Sequence, residues 1–274
     1  MNNGTLIADS GSTKTDWALG TQRVKTQGIN PFHQSKDVIF RILREELLTE
    51  IDDRRVNTVE FYGSGVRPEL QPLMVALLKE TFPLAVRVEA HSDLFGAAKA
   101  LCGTHEGIAC ILGTGSNSCL YNGREIVGNT PPMGYILGDE GGGAVLGKRF
   151  ITSLYKKWPD TTLKVAFEKW AGVDLAAVID RVYRQPLANR WLASLSVFIH
   201  EQLADERVET LVVDNFRDFI LLNINPYQRR DLPLSAVGSM AFYYREQWEK
   251  AAKAEGYVLG SVMQSPIEGL IKME

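Results

Sequence analysis

Two short segments of this 274-residue chain combine small residues, hydroxyls and a carboxylate in a way that suits phosphate chemistry. The first is Asp9-Ser10-Gly11-Ser12-Thr13-Lys14-Thr15, between the apolar runs 4–9 and 15–20. Small residues let the backbone approach phosphate oxygens, and successive N–H groups at a turn form an anion-binding concavity. Serine and threonine hydroxyls add donors, and Asp9 at the strand end could hold a hydrated Mg2+. A plain Gly-Ser hairpin with Asp9 fixing the turn accounts for the same residues equally well. The second segment is Gly113-Thr114-Gly115-Ser116-Asn117-Ser118. It begins like a dinucleotide fingerprint, but Ser118 stands where the third glycine belongs and a strand follows rather than a helix. A second phosphate hairpin explains it better, with a ligand-free β-turn as the alternative.

Carboxylates supply two further candidates. Gly138-Asp139-Glu140-Gly141-Gly142-Gly143 places adjacent acids in a glycine-rich loop at a helix start, suited to sugar hydroxyls, a metal or anions, or else to helix capping. Gly142 to Lys148 spells GxxxxGK, yet Arg149 replaces the required Ser or Thr and no strand leads into it, so it is not a P-loop. Asp93 follows a strand and opens a helix, as a general base at a sheet edge or, with Ser92, as an N-cap. His33, His91, His105 and His200 share no ligand spacing, and each is expected to be structural. No GxSxG elbow or CxxC pair points to a serine hydrolase or a dithiol redox enzyme.

The elements that must hold these residues alternate. Strands at 4–9, 15–20 and 21–27 precede a helix over 37–51 with Val38, Ile39, Ile42, Leu43, Leu47 and Ile51 at helical spacing. A strand at 56–63, a helix at 68–82, a strand at 85–91 and a helix at 93–102 follow, which makes an α/β layer architecture. Strand, Gly/Ser turn and strand recur at 107–121, with a third strand at 124–129, about 100 residues after the first copy. Two such hairpins facing each other make a natural nucleotide clamp. Helices are expected near 145–156, 161–170, 174–184, 187–203 and 208–222, a strand at 232–238 and a helix at 241–255.

Composition bounds the function classes. The formal net charge is −3 with no long basic run, which argues against free nucleic acid as a partner. Cys102, Cys110 and Cys119, at spacings of eight and nine, match no paired metal pattern and no disulfide framework, and two of them, in apolar surroundings, are expected to be buried free thiols. The N-terminus lacks the charged and apolar regions of a signal peptide, and no apolar run approaches ~18 residues. A cytoplasmic protein without a membrane partner is the expectation.

Taken together, DSGSTKTDW (9–17), SDLFGAAKAL (92–101), LGTGSN (112–117), MGYILGDEGGGAVLG (133–147) and AVGSMA (236–241) resemble the sugar-kinase/actin-like ATPase superfamily. More narrowly, the chain resembles the family that groups N-acetylglucosamine kinases with the ATPase subunits of benzoyl-CoA reductase and activators of 2-hydroxyacyl-CoA dehydratases. The resemblance implies two actin-like (ribonuclease H-like) domains, 1–104 plus 258–274 and 105–257, with an interdomain nucleotide cleft. It implies ATP and Mg2+, and transfer to the 6-hydroxyl of N-acetylglucosamine or a related amino sugar, with an ATPase activator of a partner enzyme or a non-catalytic nucleotide-binding regulator as the alternatives. Asp9, Ser10, Gly11, Ser12 and Thr13, with Lys14 beside them, resemble the first phosphate motif, Asp9 on the metal. Gly113, Thr114, Gly115 and Ser116 resemble the second, and Gly238 and Ser239 the adenosine motif. Asp93 takes the place of the general base, and Asn30, Ser64, Gly65, Asn117 and Asp139 those of the sugar contacts. Three departures stand out: Ser10-Gly11-Ser12 replaces a glycine run, Met133-Gly134-Tyr135 a Gly-Trp-Gly, and Ser239 a second glycine. The partner expected is a small-molecule sugar, with a homodimer left open and 150–230 without a motif.

Overall fold

The computed structural model describes residues 4–11, 13–158 and 161–273. Ser12 of the first phosphate motif therefore lies outside the described residues. Two five-stranded mixed sheets carry the fold. In the first, β1 (Gly4–Ser10), β2 (Lys14–Leu19), β3 (Gln22–Gln27), β4 (Val56–Gly63) and β5 (Arg87–Ser92) lie in the order β3-β2-β1-β4-β5. β1, β2 and β3 form an antiparallel meander, while β4 runs parallel to β1, and β5 parallel to β4. In the second, β6 (Glu106–Leu112), β7 (Ser116–Asn122), β8 (Ile126–Gly128), β9 (Leu234–Val237) and β10 (Leu259–Met263) repeat that plan in the order β10-β9-β6-β7-β8. Both copies thus have a hairpin between an inner strand and its antiparallel neighbour, and two parallel strands on the inner strand's other side. The recurrence in the sequence is a recurrence of topology.

Each sheet belongs to its own compact unit. The first holds the residues up to His105, Gly123–Glu125 and those from Ser265 onward. Leu6, Trp17, Leu43, Val59, Phe61 and Leu78 form its main core on one sheet face. On the other face, Ile7, Ala18, Tyr62, Ala100, Ile267 and Leu270 pack together, joining the helix Asp93–Cys102 to the helix Ile267–Ile271. The second unit is helix-rich, and its core draws on Ile108, Leu112, Phe150, Phe167, Phe216 and Trp248. The chain crosses back at Ser265 rather than at residue 258, because Leu259–Met263 pairs in parallel with β9 and so belongs to the second sheet.

Several helices differ from their periodicity; the one expected over 241–255, for instance, is broken at Tyr244 into Ser239–Tyr243 and Arg245–Ala254. The segment expected as one helix over 187–203 is two, Ala188–Ser194 and Ser196–Glu201, broken at Leu195. The helix that opens at Lys36–Arg41 widens into a π-helical turn at Ile42–Leu47 and stops before Ile51. Cys110 and Cys119 are buried on β6 and β7. No helix among the described residues is long and apolar enough to cross a membrane.

Candidate functional site

The C-terminal ends of the parallel strands β1, β4 and β5 lie in register, with Ser10 beside Gly63 and Gly63 beside Ser92. Ligands of open α/β sheets collect at such an edge. Here it gathers Asp9, Ser64, Gly65 and Asp93 within the first unit. Ser64 N–H donates to the Ser10 carbonyl at 2.8 Å, fixing the start of the loop. The Ser64 hydroxyl donates to the Asp93 carboxylate, which also accepts from Leu94 N–H at 2.8 Å. Burial nonetheless raises the Asp93 carboxyl above its ordinary range. Ser92, not Asp93, caps this helix, accepting from Phe95 N–H at 3.2 Å. The Asp93 carboxylate is thus spared the capping role that would otherwise account for it.

Asn30 joins the same edge through Gly65. A Cβ at Gly65 would stand 2.1 Å from Asn30 Oδ1, and its φ of +77° is left-handed, so both sterics and backbone require glycine. Asn30 Oδ1 accepts from Phe32 N–H at 3.0 Å, which fixes the amide in place. Asp9 sits on the sheet face of the helix Ile267–Ile271, and Ser265, just before that helix, donates to its Oδ2 at 3.1 Å. Burial pushes the Asp9 carboxyl up to about 7, with the negative charges of Asp16 and Asp93 adding to the shift. Within the hairpin, the Ser10 hydroxyl is turned inward: it donates to the Ile29 carbonyl at 3.0 Å, accepts from Ile29 N–H and lies 2.6 Å from Thr15 Oγ1. Its side chain is thus committed to the fold rather than to a ligand. Lys14 Nζ pairs with Asp16 at 2.7 Å, while Gly11 and Thr13 are exposed at the tip.

In the second unit the hairpin Gly113–Gly115 links β6 and β7, closed by Gly113 N–H donating to the Gly115 carbonyl at 3.0 Å. The helix Gly143–Lys156 begins against it: Gly143 N–H donates to the Gly113 carbonyl and Ala144 N–H to that of Thr114. Those two donors hold the hairpin and are not free for an anion. Asp139, with φ of 56°, turns its carboxylate back to accept from Ser116 and Gly134 N–H groups. Burial still pushes this carboxyl up to about 6. Gly142 is the residue at the helix cap, so Asp139 is a loop acid held against the hairpin. Neighbouring Glu140 accepts from Asn223 Nδ2 at 3.2 Å. Asn117 Oδ1 accepts from Ser118 N–H and from Asn129 Nδ2.

Gly238, with φ of 116°, passes so close to β6 that a Cβ would lie 2.2 Å from the Leu112 carbonyl. This brings Ser239 to a cavity of about 240 Å3 that Gly113 and Thr114 also line, so the second hairpin and the Gly238-Ser239 turn meet in one place. The hydroxyl of Ser116 is buried at the base of the hairpin, behind that cavity's lining, with no hydrogen-bond partner among the described residues, and no heavy atom stands within 4 Å of where a Cβ on Gly113 would sit. An open glycine beside the Thr114 and Ser239 side chains fits a phosphate-bearing ligand. For Mg2+, Asp9 offers one carboxylate, which suits an ion that keeps waters and phosphate oxygens as its other ligands. Arg190, Ser194 and Ser196 complete the cavity wall. They come from the stretch in which the sequence carries no motif, and Ser265 likewise has no signal beyond its place before a helix.

No family model matches the chain, and no curated protein matches it. Among solved structures, it is 48% identical to a protein of Porphyromonas gingivalis named as a candidate N-acetylglucosamine kinase, over 98% of each chain and with a TM-score of 0.95. A Chromobacterium violaceum protein named in the same way shares the fold at 17% identity, covering 99% of this chain and 98% of its own, with a TM-score of 0.71. A ROK hexokinase of Thermus thermophilus shares it at 14% identity, over 98% and 96% of the chains, with a TM-score of 0.53. All three carry sugar-kinase names, and none lends support to the activator ATPases of benzoyl-CoA reductase. With near-half identity over its whole length, the chain belongs to the sugar-kinase family of the candidate N-acetylglucosamine kinases.

Proposed function

We propose that the protein is an ATP-dependent kinase that phosphorylates an amino sugar, N-acetylglucosamine or a close relative, on its 6-hydroxyl. The observation that carries this reading is the half-buried Asp93, held by the Ser64 hydroxyl and Leu94 N–H at the strand edge that Gly65 shares with Asn30. A carboxylate so placed takes the proton of a sugar hydroxyl as that oxygen attacks the γ-phosphorus and the bond to the β-γ bridging oxygen breaks, releasing ADP. Phosphoryl transfer asks for little else from a protein than positioning and charge neutralisation. Asn30, Ser64, Gly65, Asn117 and Asp139 orient the sugar in this scheme. The main chain at Gly11 and Thr13 and the second hairpin hold phosphates, and Gly238-Ser239 borders the adenosine. Bound Mg2+, with Asp9 as its protein ligand, supplies charge neutralisation on the phosphates. A cytoplasmic setting goes with this reading.

The test is ADP formation from ATP and Mg2+ across N-acetylglucosamine, glucosamine, N-acetylmannosamine, glucose and a no-sugar control, for the wild type and Asp93→Asn. The wild type is expected to release ADP in proportion to sugar phosphate, fastest with an amino sugar. The variant is expected to keep its fold and nucleotide affinity and lose about 10²–10⁴-fold in rate. Sugar-independent ADP release would favour an ATPase, ATP binding without any turnover would favour a regulator, and near-normal turnover by Asp93→Asn would remove the proposed base.

A further inference from the structure

Among the described residues that line the cavity beside the second hairpin, Arg190 is the one cation; its neighbours there are Gly, Ala, Met, Thr and Ser. Its position is fixed from two sides. Leu187, with φ of 60°, starts the helix Ala188–Ser194, and Arg190 N–H donates to its carbonyl at 2.9 Å. That helix then seats in a notch of the helix Gly143–Lys156. A Cβ at Gly147 would lie 2.1 Å from the Leu192 carbonyl, and one at Gly143 would lie 3.3 Å from Ala193 Cβ. Because Gly143 N–H and Ala144 N–H also hold the hairpin carbonyls, one helix start registers Arg190 against Gly113 and Thr114.

The lysines that the motifs offer do not line this cavity. Lys14 in the first hairpin pairs with Asp16, and Lys148, the lysine of the GxxxxGK spelling, donates to the Tyr135 carbonyl at 3.0 Å. The second hairpin itself contains no cation. A nucleoside di- or triphosphate brings several negative charges to a site made otherwise of backbone and hydroxyls, and a guanidinium's planar donor fork matches phosphate oxygens. We propose that Arg190 is the cation of the nucleotide site, gripping the polyphosphate of a nucleoside di- or triphosphate beside Gly113 and Thr114. The proposal rests on the kinase reading and adds to it a residue that none of the motifs contains.

Calorimetric titration of the full-length protein with adenosine, AMP and MgADP separates the two ideas. For Arg190→Gln the expected result is MgADP affinity weaker by about 10- to 100-fold, the worth of a charge-assisted hydrogen bond, with adenosine affinity changed less than about threefold. Arg190→Lys, which keeps the charge but not the fork, is expected to fall between, and a melting temperature close to the wild type's marks each variant as folded. Equal losses for adenosine and MgADP, or none for MgADP, in a folded Arg190→Gln protein would overturn the assignment while leaving the kinase reading intact. A wild type that binds none of the three probes would instead overturn that reading, and the role of Arg190 with it.

Discussion

Asp9 and Asp93 share one sheet edge yet differ in what surrounds their charge. Asp93 accepts from a main-chain N–H and from the Ser64 hydroxyl. Asp9 is partly buried, has the Ser265 hydroxyl as its side-chain donor among the described residues, and has Asp16 and Asp93 nearby, so its carboxyl rises to about 7 from an ordinary 3.8. Between those pH values the folded chain keeps a proton that the unfolded chain has released. Its contribution to stability is therefore full below about pH 4 and is lost as pH rises through 7. Asp9→Asn removes the titration with almost no change of shape, and its amide oxygen can still accept from Ser265. In chelator-treated protein, the variant is expected to match the wild type near pH 4.5 and to exceed it at pH 8 by on the order of 2–4 kcal/mol. Calorimetric melting across that range is the measurement. A difference that does not change with pH would mean that Asp9 ionises like an exposed carboxyl.

At the scale of elements, the second hairpin, the acidic loop and the start of the helix Gly143–Lys156 form one packed joint. A Cβ on Gly115 would lie 2.4 Å from Asp139 Oδ2, and one on Gly142 would lie 2.8 Å from the Gly115 carbonyl carbon. Gly115→Ala must displace the Asp139 carboxylate from the Ser116 and Gly134 N–H groups, a loss of about 1–3 kcal/mol. In an Asp139→Gly background, which removes the carboxylate and suits the left-handed backbone, the same substitution should cost almost nothing. A double-mutant cycle by denaturant unfolding measures the coupling, and additive costs would show that the two positions are independent. The elements of this joint were legible in the sequence, because Gly and Ser between alternating apolar runs leave few options besides a hairpin. Its inward carboxylate was not, since Asp139-Glu140 reads equally as a helix cap until Gly142 is seen in that position. The helical stretch hid more. Arg190 reaches the cavity through the break at Leu195 and the Gly143–Gly147 notch, tertiary features that no local period records. Ser265 was equally silent, because its link to Asp9 spans almost the whole chain.

Each unit of the molecule carries its own core, one around Trp17, Phe61 and Leu78 and the other around Phe150, Phe216 and Trp248. Separate cores open separately, and a ligand that binds one native unit slows the opening of that unit by mass action. The kinase reading places most of each ligand's contacts in one unit, although Gly11 and Thr13 of the first also meet phosphates and Asn117 and Asp139 of the second also meet the sugar. Gly113, Thr114, Arg190 and Ser239 belong to the second unit, while Asn30, Ser64, Gly65 and Asp93 belong to the first. Hydrogen exchange with one ligand at a time should therefore give two footprints. MgADP alone is expected to slow exchange chiefly in 112–116, 188–196 and 238–243, with the first hairpin at 13–15 following. N-acetylglucosamine alone should slow it in 29–34, 63–66 and 92–95, with the loop of Asp139 following. At a ligand concentration near one hundred times Kd, amides that exchange through opening of the liganded unit gain about 2.7 kcal/mol of protection, roughly a hundredfold in rate. Amides that exchange by local fraying gain less, so strands and helix interiors such as β6 and the helix Asp93–Cys102 are the ones to compare. A sugar footprint confined to the second unit would move the acceptor away from Asp93 and leave that carboxylate without a substrate, whereas a nucleotide footprint confined to the first would empty the cavity of Gly113, Thr114 and Arg190.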